Sequence, residues 1–293
     1  MRSAQRASSG NYGGGHGEGC GRTGANQGLG LALVRGLCRA LGAGGIVYLT
    51  ARDRARGERA VAELQAEGLS PRLEVLDVRD DASVTGVAQA LAGRHGGVDV
   101  VISNAAARIS PQVPAEQQVR TFVDTNNHGT LRMIRSFGPL LRDGARVIVV
   151  ASSFGTLASL DPRLHHLFDV TQLSLAGLAK VMDDYVAAVE AGRAAAQGWT
   201  AWINPPSKVG QVAAVKVWAR ELAGQAARRD ILVNAACPGL VDTGASRPWF
   251  DDMSGALSPD EAAADVLWLA TLPPGSREPY GELVQHRKVL PFT

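Results

Sequence analysis

From Gly28 the apolar residues Leu33, Val34, Leu37, Cys38 and Leu41 recur at the spacing of one helix face, and the run IVYLT at 46–50 has the composition of a strand. The same alternation continues down the chain. A polar helix is expected over 54–67, a strand over 73–76, a helix over 82–94 and a buried strand over 98–102. After a loop containing Pro111 and Pro114 come a helix over 127–141 and the strongly apolar strand 146–151. The next stretch, about 157–200, is alanine-rich and helical with no strand in it, and is expected to be an insertion. The pattern then resumes with a helix over 205–228, a strand over 231–235, a helix over 259–270 and a last strand over 282–285. Strands alternating with helices of this length form right-handed βαβ units on a parallel sheet. The expectation is an α/β, doubly wound parallel sheet in a single domain over 23–293.

The first 22 residues break the pattern. Residues 7–22 contain no Val, Ile, Leu or Phe, so the segment 1–22 is expected to be flexible and glycine-rich. The first strand of a doubly wound sheet is central and buried on both faces, which calls for Val and Ile. Gly17-Glu18-Gly19-Cys20-Gly21-Arg22 offers neither. Either the strand forms poorly on this backbone or the functional N-terminus differs.

Apolar residues make up 45% of the chain and charged residues 20%, a balance that excludes extended disorder. Thirty basic and 28 acidic side chains leave a net charge of +2, with the arginines dispersed. Nucleic acid and membrane surfaces are therefore not expected as partners, and a small molecule is. Cys20, Cys38 and Cys237 are far apart and lack metal-ligand spacing, which argues against a disulfide framework or a zinc site and suits a cytoplasmic protein. No apolar run approaches the length of a membrane span, and the start of the chain has no secretory pattern.

Thr23-Gly24-Ala25-Asn26-Gln27-Gly28-Leu29-Gly30 places three glycines at the mouth of a helix. Glycine there lets the backbone approach a pyrophosphate, and the helix N-terminus favours its charge. Taken alone, this is equally a helix-entry loop. Ala51 stands 21 residues past Gly30, where a unit binding NAD would usually place an acid on the ribose hydroxyl. Arg52 and Arg56 follow instead. A guanidinium pairs with a 2′-phosphate, so NADP(H) is expected over NAD(H), unless these arginines are simply solvated.

In sequence order, TGANQGLG at 23–30, LTARD at 49–53, Leu76-Asp77-Val78, SNAA at 103–106, Thr125-Asn126, Ser152-Ser153-Phe154-Gly155, Ser207-Lys208 and Cys237-Pro238-Gly239 resemble the short-chain dehydrogenase/reductase family. The monomeric NADPH-dependent carbonyl reductases look closest. The resemblance implies a Rossmann-like fold and NADPH as cofactor, bound through Gly24, Asn26, Gln27, Gly28, Leu29, Gly30, Arg52, Arg56, Asp77, Val78, Asn104, Lys208, Pro238 and Gly239. Asp77 and Val78 would flank the adenine, Asn104 would close the nucleotide site, and Pro238 with Gly239 would border the nicotinamide. The helical insert would cover the surface on which other members pair, giving a monomer. The implied chemistry is hydride transfer to a ketone, aldehyde or quinone. In that scheme Ser152 holds the carbonyl oxygen, Asn126 positions a relay water, and Lys208 binds the ribose and lowers the pKa of a tyrosine four residues before it.

That tyrosine is missing. Asn204 stands at its position, in Asn204-Pro205-Pro206-Ser207-Lys208, and an amide is no proton donor near neutral pH. Asparagine is a favoured N-cap and proline a favoured first helical residue, so a helix is expected to begin here with Asn204 as its cap. His128 and Tyr185 are further candidate donors, and Trp249 with Phe250 a candidate substrate wall. Three functions stay open: an NADP-dependent carbonyl reductase-like enzyme, a nucleotide-binding pseudoenzyme or sensor without turnover, and a structural or partner-binding domain without cofactor.

Overall fold

The computed structural model describes the backbone of residues 18–22 and the whole of residues 25–293. The elements run β1 (Glu18–Arg22), α1 (Gly28–Leu41), β2 (Gly45–Ala51), α2 (Arg54–Ala66), β3 (Arg72–Val75), α3 (Asp81–His95), β4 (Val98–Ser103), α4 (Ala115–Val123), α5 (Gly129–Phe137), β5 (Leu141–Val150), α6 (Leu175–Glu190), α7 (Asn204–Arg229), β6 (Leu232–Ala236), α8 (Pro259–Ala262), α9 (Ala264–Ala270), β7 (Leu283–Gln285) and β8 (Lys288–Leu290). The sheet order is β3-β2-β1-β4-β5-β6-β7-β8; all neighbours are parallel except β7 and β8. The chain winds outward from β1 to β3, then returns to the other side of β1 with β4. This reversal makes the C-terminal ends of β1 and β4 the switch point at which such sheets bind ligands.

Where the sequence left the first strand open, the backbone pairs as a strand. Glu18–Cys20 pair with Gly45–Val47, and Cys20–Arg22 pair with Val100–Ile102. Backbone hydrogen bonds to two apolar neighbouring strands define a parallel strand whatever its own composition. Residues 1–17, 23 and 24 lie outside the described residues, and with them most of the expected flexible segment and Gly24.

Strand alternation explains how β5 holds the two layers together. Val147 and Val149 enter the cluster built with α3, α5 and α7, whereas Ile148 and Val150 enter the cluster built with α1, α2 and α9. Each such side chain is almost fully buried, contributing about 1.5–3 kcal/mol of transfer free energy. Arg146, at the apolar stretch's start, is also buried; its guanidinium donates to the carbonyls of Gly144, Asp230 and Pro273 at 3.0, 2.5 and 2.9 Å.

One further expectation changes. The helix expected over 127–141 is the shorter α5, and a further helix, α4, precedes it where a loop was expected, the two joined without a break by a wide five-residue turn, Asp124–His128. Such an extra residue per turn rotates the side chains that follow and recurs at functional sites. The stretch 157–200 contains α6 and short 3-10 turns; α6 packs on α4 through the Arg120–Glu190 ion pair, and Tyr185 stacks on Trp199 with centroids 4.6 Å apart.

Candidate active site

At the switch point a cleft of about 1230 Å³ opens, walled by the glycine loop, the ends of β2 and β4, Lys208 of α7, and the segment Val241–Ala245 after β6. Gly28 has φ +52°, and an added Cβ would stand 3.3 Å from the Thr243 methyl, so both backbone conformation and space favour glycine. Gln27, the residue before α1, makes no capping side-chain bond, and the first turn carries no acid. The first N–H groups of α1 are thus turned to the cleft with positive dipole charge.

The other end is cationic. Arg52, Arg56 and Arg59 line it, and each acid on the same wall is already engaged. Asp53 accepts from the Arg56 N–H at 2.8 Å as the N-cap of α2; Glu63 pairs with Arg35; Asp77 pairs with Arg79 at 2.6 Å, which holds its carboxyl below the usual range. Among the described residues each of these carboxylates is thus partnered, while no ion pair holds the three arginines. These residues fit a dinucleotide carrying an extra phosphate on its adenosine half. Of the residues expected to bind it, Asn26, Gln27, Gly28, Leu29, Gly30, Arg52, Arg56, Asp77, Val78, Asn104 and Lys208 line one cleft.

Pro238, Gly239, Ser152, Asn126 and Asn204 are not on that wall. Ser152 Oγ accepts from the Phe154 N–H at 3.3 Å and caps a 3-10 turn. Its neighbour Ser153 is exposed, and its hydroxyl and amide both approach the Cys237 sulfur. Asn126 is fully buried by the wide turn: Oδ1 accepts from the Ala107 N–H at 2.9 Å, fixing the loop after β4, and Nδ2 donates to Ser207 at 3.4 Å. Ser207 donates in turn to Asn127 Oδ1 at 2.7 Å. Asn204 is the first residue of α7, not its cap. Ile203 precedes it in helical conformation, and no side chain caps this end. The two prolines following Asn204 remove N–H groups that would otherwise need partners.

Lys208 donates from Nζ to Gln211 Oε1 at 2.8 Å. Desolvation by its burial pushes the ammonium down to about 8, opposed by the Cys237 thiol beside it, itself pushed up by burial.

The short chain dehydrogenase profile matches residues 22–161. Carbonyl reductase [NADPH] 1 of Rattus norvegicus is 35% identical over 274 residues, 92% of this chain and 96% of that protein. The Homo sapiens protein of the same name is 36% identical over 271 residues, 91% and 95% of the two chains. This chain belongs to the short-chain dehydrogenase/reductase family. Among solved structures, salutaridine reductase from Papaver somniferum superposes with a TM-score of 0.77 at 22% identity, over 91% of this chain and 99% of that one. Menthone neomenthol reductase from Mentha piperita gives 0.73 at 21%, over 92% and 98%. At these identities the structural likeness shows the fold.

Among the described residues that line the cleft there is no tyrosine. Tyr185 is sealed in the core against Trp199, and burial pushes its phenol far up; His128 is tied to Asp183 at 2.9 Å. Reading the sequence missed Gln211 and Trp202. Trp202 meets Phe154 edge-on with centroids 5.1 Å apart and lies tilted on Trp249 at 5.7 Å, and Trp249 donates to the Ile109 carbonyl at 3.2 Å. Trp249 therefore joins the segment after β6 to the loop before α7, whereas Phe250 points to solvent. Gln211 carried a legible signal: one polar residue within the apolar run Val209 to Val215.

Proposed function

We propose that this chain is an NADPH-dependent reductase of ketones, aldehydes or quinones. The observation that carries the reading is a single cleft with unpaired guanidinium groups at its adenosine end and Lys208 at the other. Identity of about a third to carbonyl reductases named for NADPH, over nearly the whole of both chains, supports the same reading. The α1 N-terminus receives the pyrophosphate and Arg52 with Arg56 the 2′-phosphate. Lys208 holds the nicotinamide ribose. The Ser152 oxygen accepts from the Phe154 N–H, which leaves its proton free to donate to the carbonyl oxygen, whereas the Ser153 hydroxyl is turned to the Cys237 sulfur. Asn126 acts through structure, fixing Ala107 and Ser207 on either side of the cleft floor. When bound, the cofactor supplies the hydride.

Asn204 favours one second reading, a nucleotide-binding protein without turnover. The reading without cofactor rested on a failed first strand, and β1 is formed. A fluorescence titration with NADPH and NADH, followed by NADPH consumption over a panel of carbonyls, tests the proposal. Tight NADPH binding with no consumption would favour the second reading.

A further inference from the structure

We propose that Lys208 itself delivers the proton to the carbonyl oxygen, and that Gln211 is the residue that positions it. The inference rests on the reductase reading above. Among the described residues that line the cleft there is no tyrosine, histidine or cysteine. The carboxylates on the wall are engaged by arginines or by a helix cap, and Asp242 is paired with Arg247 at 2.7 Å. Lys208 is the one group on the wall that gives up a proton near neutrality.

Its placement is built rather than incidental. Nζ reaches along α7 to Gln211 Oε1 at 2.8 Å; Gln211 Nε2 donates to Thr130 Oγ1 at 3.3 Å; Thr130 donates to the Asn126 carbonyl at 2.6 Å. Gln211, Thr130 and Asn126 are all buried, so each group in this line has one orientation that satisfies it. The line begins at the wide turn between α4 and α5 and ends on the ammonium, which ties Lys208 to the floor of the cleft. The titratable side chain acting on Lys208 is Cys237, from the loop after β6; its thiol is off the cleft wall and is a weaker acid for being buried. Burial brings Lys208 into the range where an ammonium acts as a general acid at neutral pH.

In the step, the carbonyl carbon accepts the hydride and its oxygen takes a proton from Nζ. The N–H bond breaks with its electron pair left on nitrogen. The carbonyl is reduced to an alcohol and NADPH is oxidised to NADP⁺. The neutral amine regains its proton from water.

Two readouts are taken on the parent, Gln211→Leu, Gln211→Met and Gln211→Glu. The first is kcat against pH at saturating NADPH and carbonyl. The second needs no turnover: the rate at which acetic anhydride labels Lys208, followed by mass spectrometry against pH. In the parent, kcat should fall tenfold per pH unit above about 8, and labelling should rise through the same midpoint. Removing the Gln211 acceptor should move both midpoints down by about one pH unit, because a hydrogen bond to the ammonium is lost. Gln211→Glu should move both up. A structural role alone predicts no such opposed shifts, and the methionine variant keeps the side-chain length should leucine fail to fold. If the kcat limb stays fixed while labelling moves, the proton comes from elsewhere and the donor assignment is wrong. If labelling does not move, Gln211 does not position Lys208. If labelling moves as expected but no carbonyl is reduced, the reductase reading has failed and the donor role falls with it, while the Gln211–Lys208 link stands.

Discussion

The Thr243 methyl lies 3.3 Å from where a side chain at Gly28 would begin, so the segment after β6 closes directly against the phosphate-facing turn of α1. Gly28→Ala adds a methyl group both at φ +52° and into that contact. The strained backbone and the displaced Thr243 should weaken NADPH binding by on the order of tenfold, with thermal stability lowered by roughly 1 kcal/mol. Titration and thermal unfolding of the same preparation measure both. Unchanged affinity would place the pyrophosphate away from this turn.

Arg52→Ala should erode the preference for NADPH over NADH. Losing a charge-assisted contact with the 2′-phosphate is worth roughly 1.5–3 kcal/mol, or about ten- to a hundredfold in the ratio of the two affinities. NADH binding should change little. A parent that binds both cofactors equally would remove the basis of the argument.

Arg146→Ala tests the core rather than the site. Several backbone carbonyls, those of Gly144, Asp230 and Pro273 among them, would lose the buried Arg146 donor, and Asp230 would lose an ion-pair partner at 3.5 Å. A loss of roughly 3 kcal/mol in unfolding free energy is expected, read by chemical denaturation. A change within error of zero would mean the site relaxes and rehydrates.

Asn204→Tyr places a phenol one helical turn before Lys208. Because Asn204 lies inside α7 and caps nothing, the substitution sacrifices no capping bond. Carbonyl reduction should rise by roughly tenfold or more, since a positioned general acid contributes about a hundred- to ten-thousandfold when none competes. Equal kcat for parent and variant at saturating NADPH would show that position 204 does not face the reacting carbonyl.

The layered fold was legible because β5 and the helices around it are apolar with the right period, and the cofactor end was legible because glycines and arginines sit close together in sequence. β1 was not: its place is fixed by backbone pairing to β2 and β4, which leaves no mark in side-chain composition. α4 was overlooked although Val119, Phe122 and Val123 do recur at helical spacing, because polar residues and Pro111 with Pro114 surround them. β8 is three residues long, too short for a period. Ser152 and Ser153 are indistinguishable in sequence, and only the turn that Ser152 caps separates them. The role of Gln211 depends on Thr130 and the wide turn 81 residues away, a distance no local pattern spans.

The central claim is that the cleft turns over NADPH against a carbonyl although Asn204 replaces the tyrosine. The most direct measurement is NADPH consumption with the purified chain at saturating cofactor over ketones, aldehydes and quinones, with the alcohol or hydroquinone product quantified in the same reaction. Stoichiometric formation of reduced product, lost in Lys208→Ala even when NADPH is raised to saturate that variant, is the predicted result. Tight NADPH binding with no product from any carbonyl would contradict it.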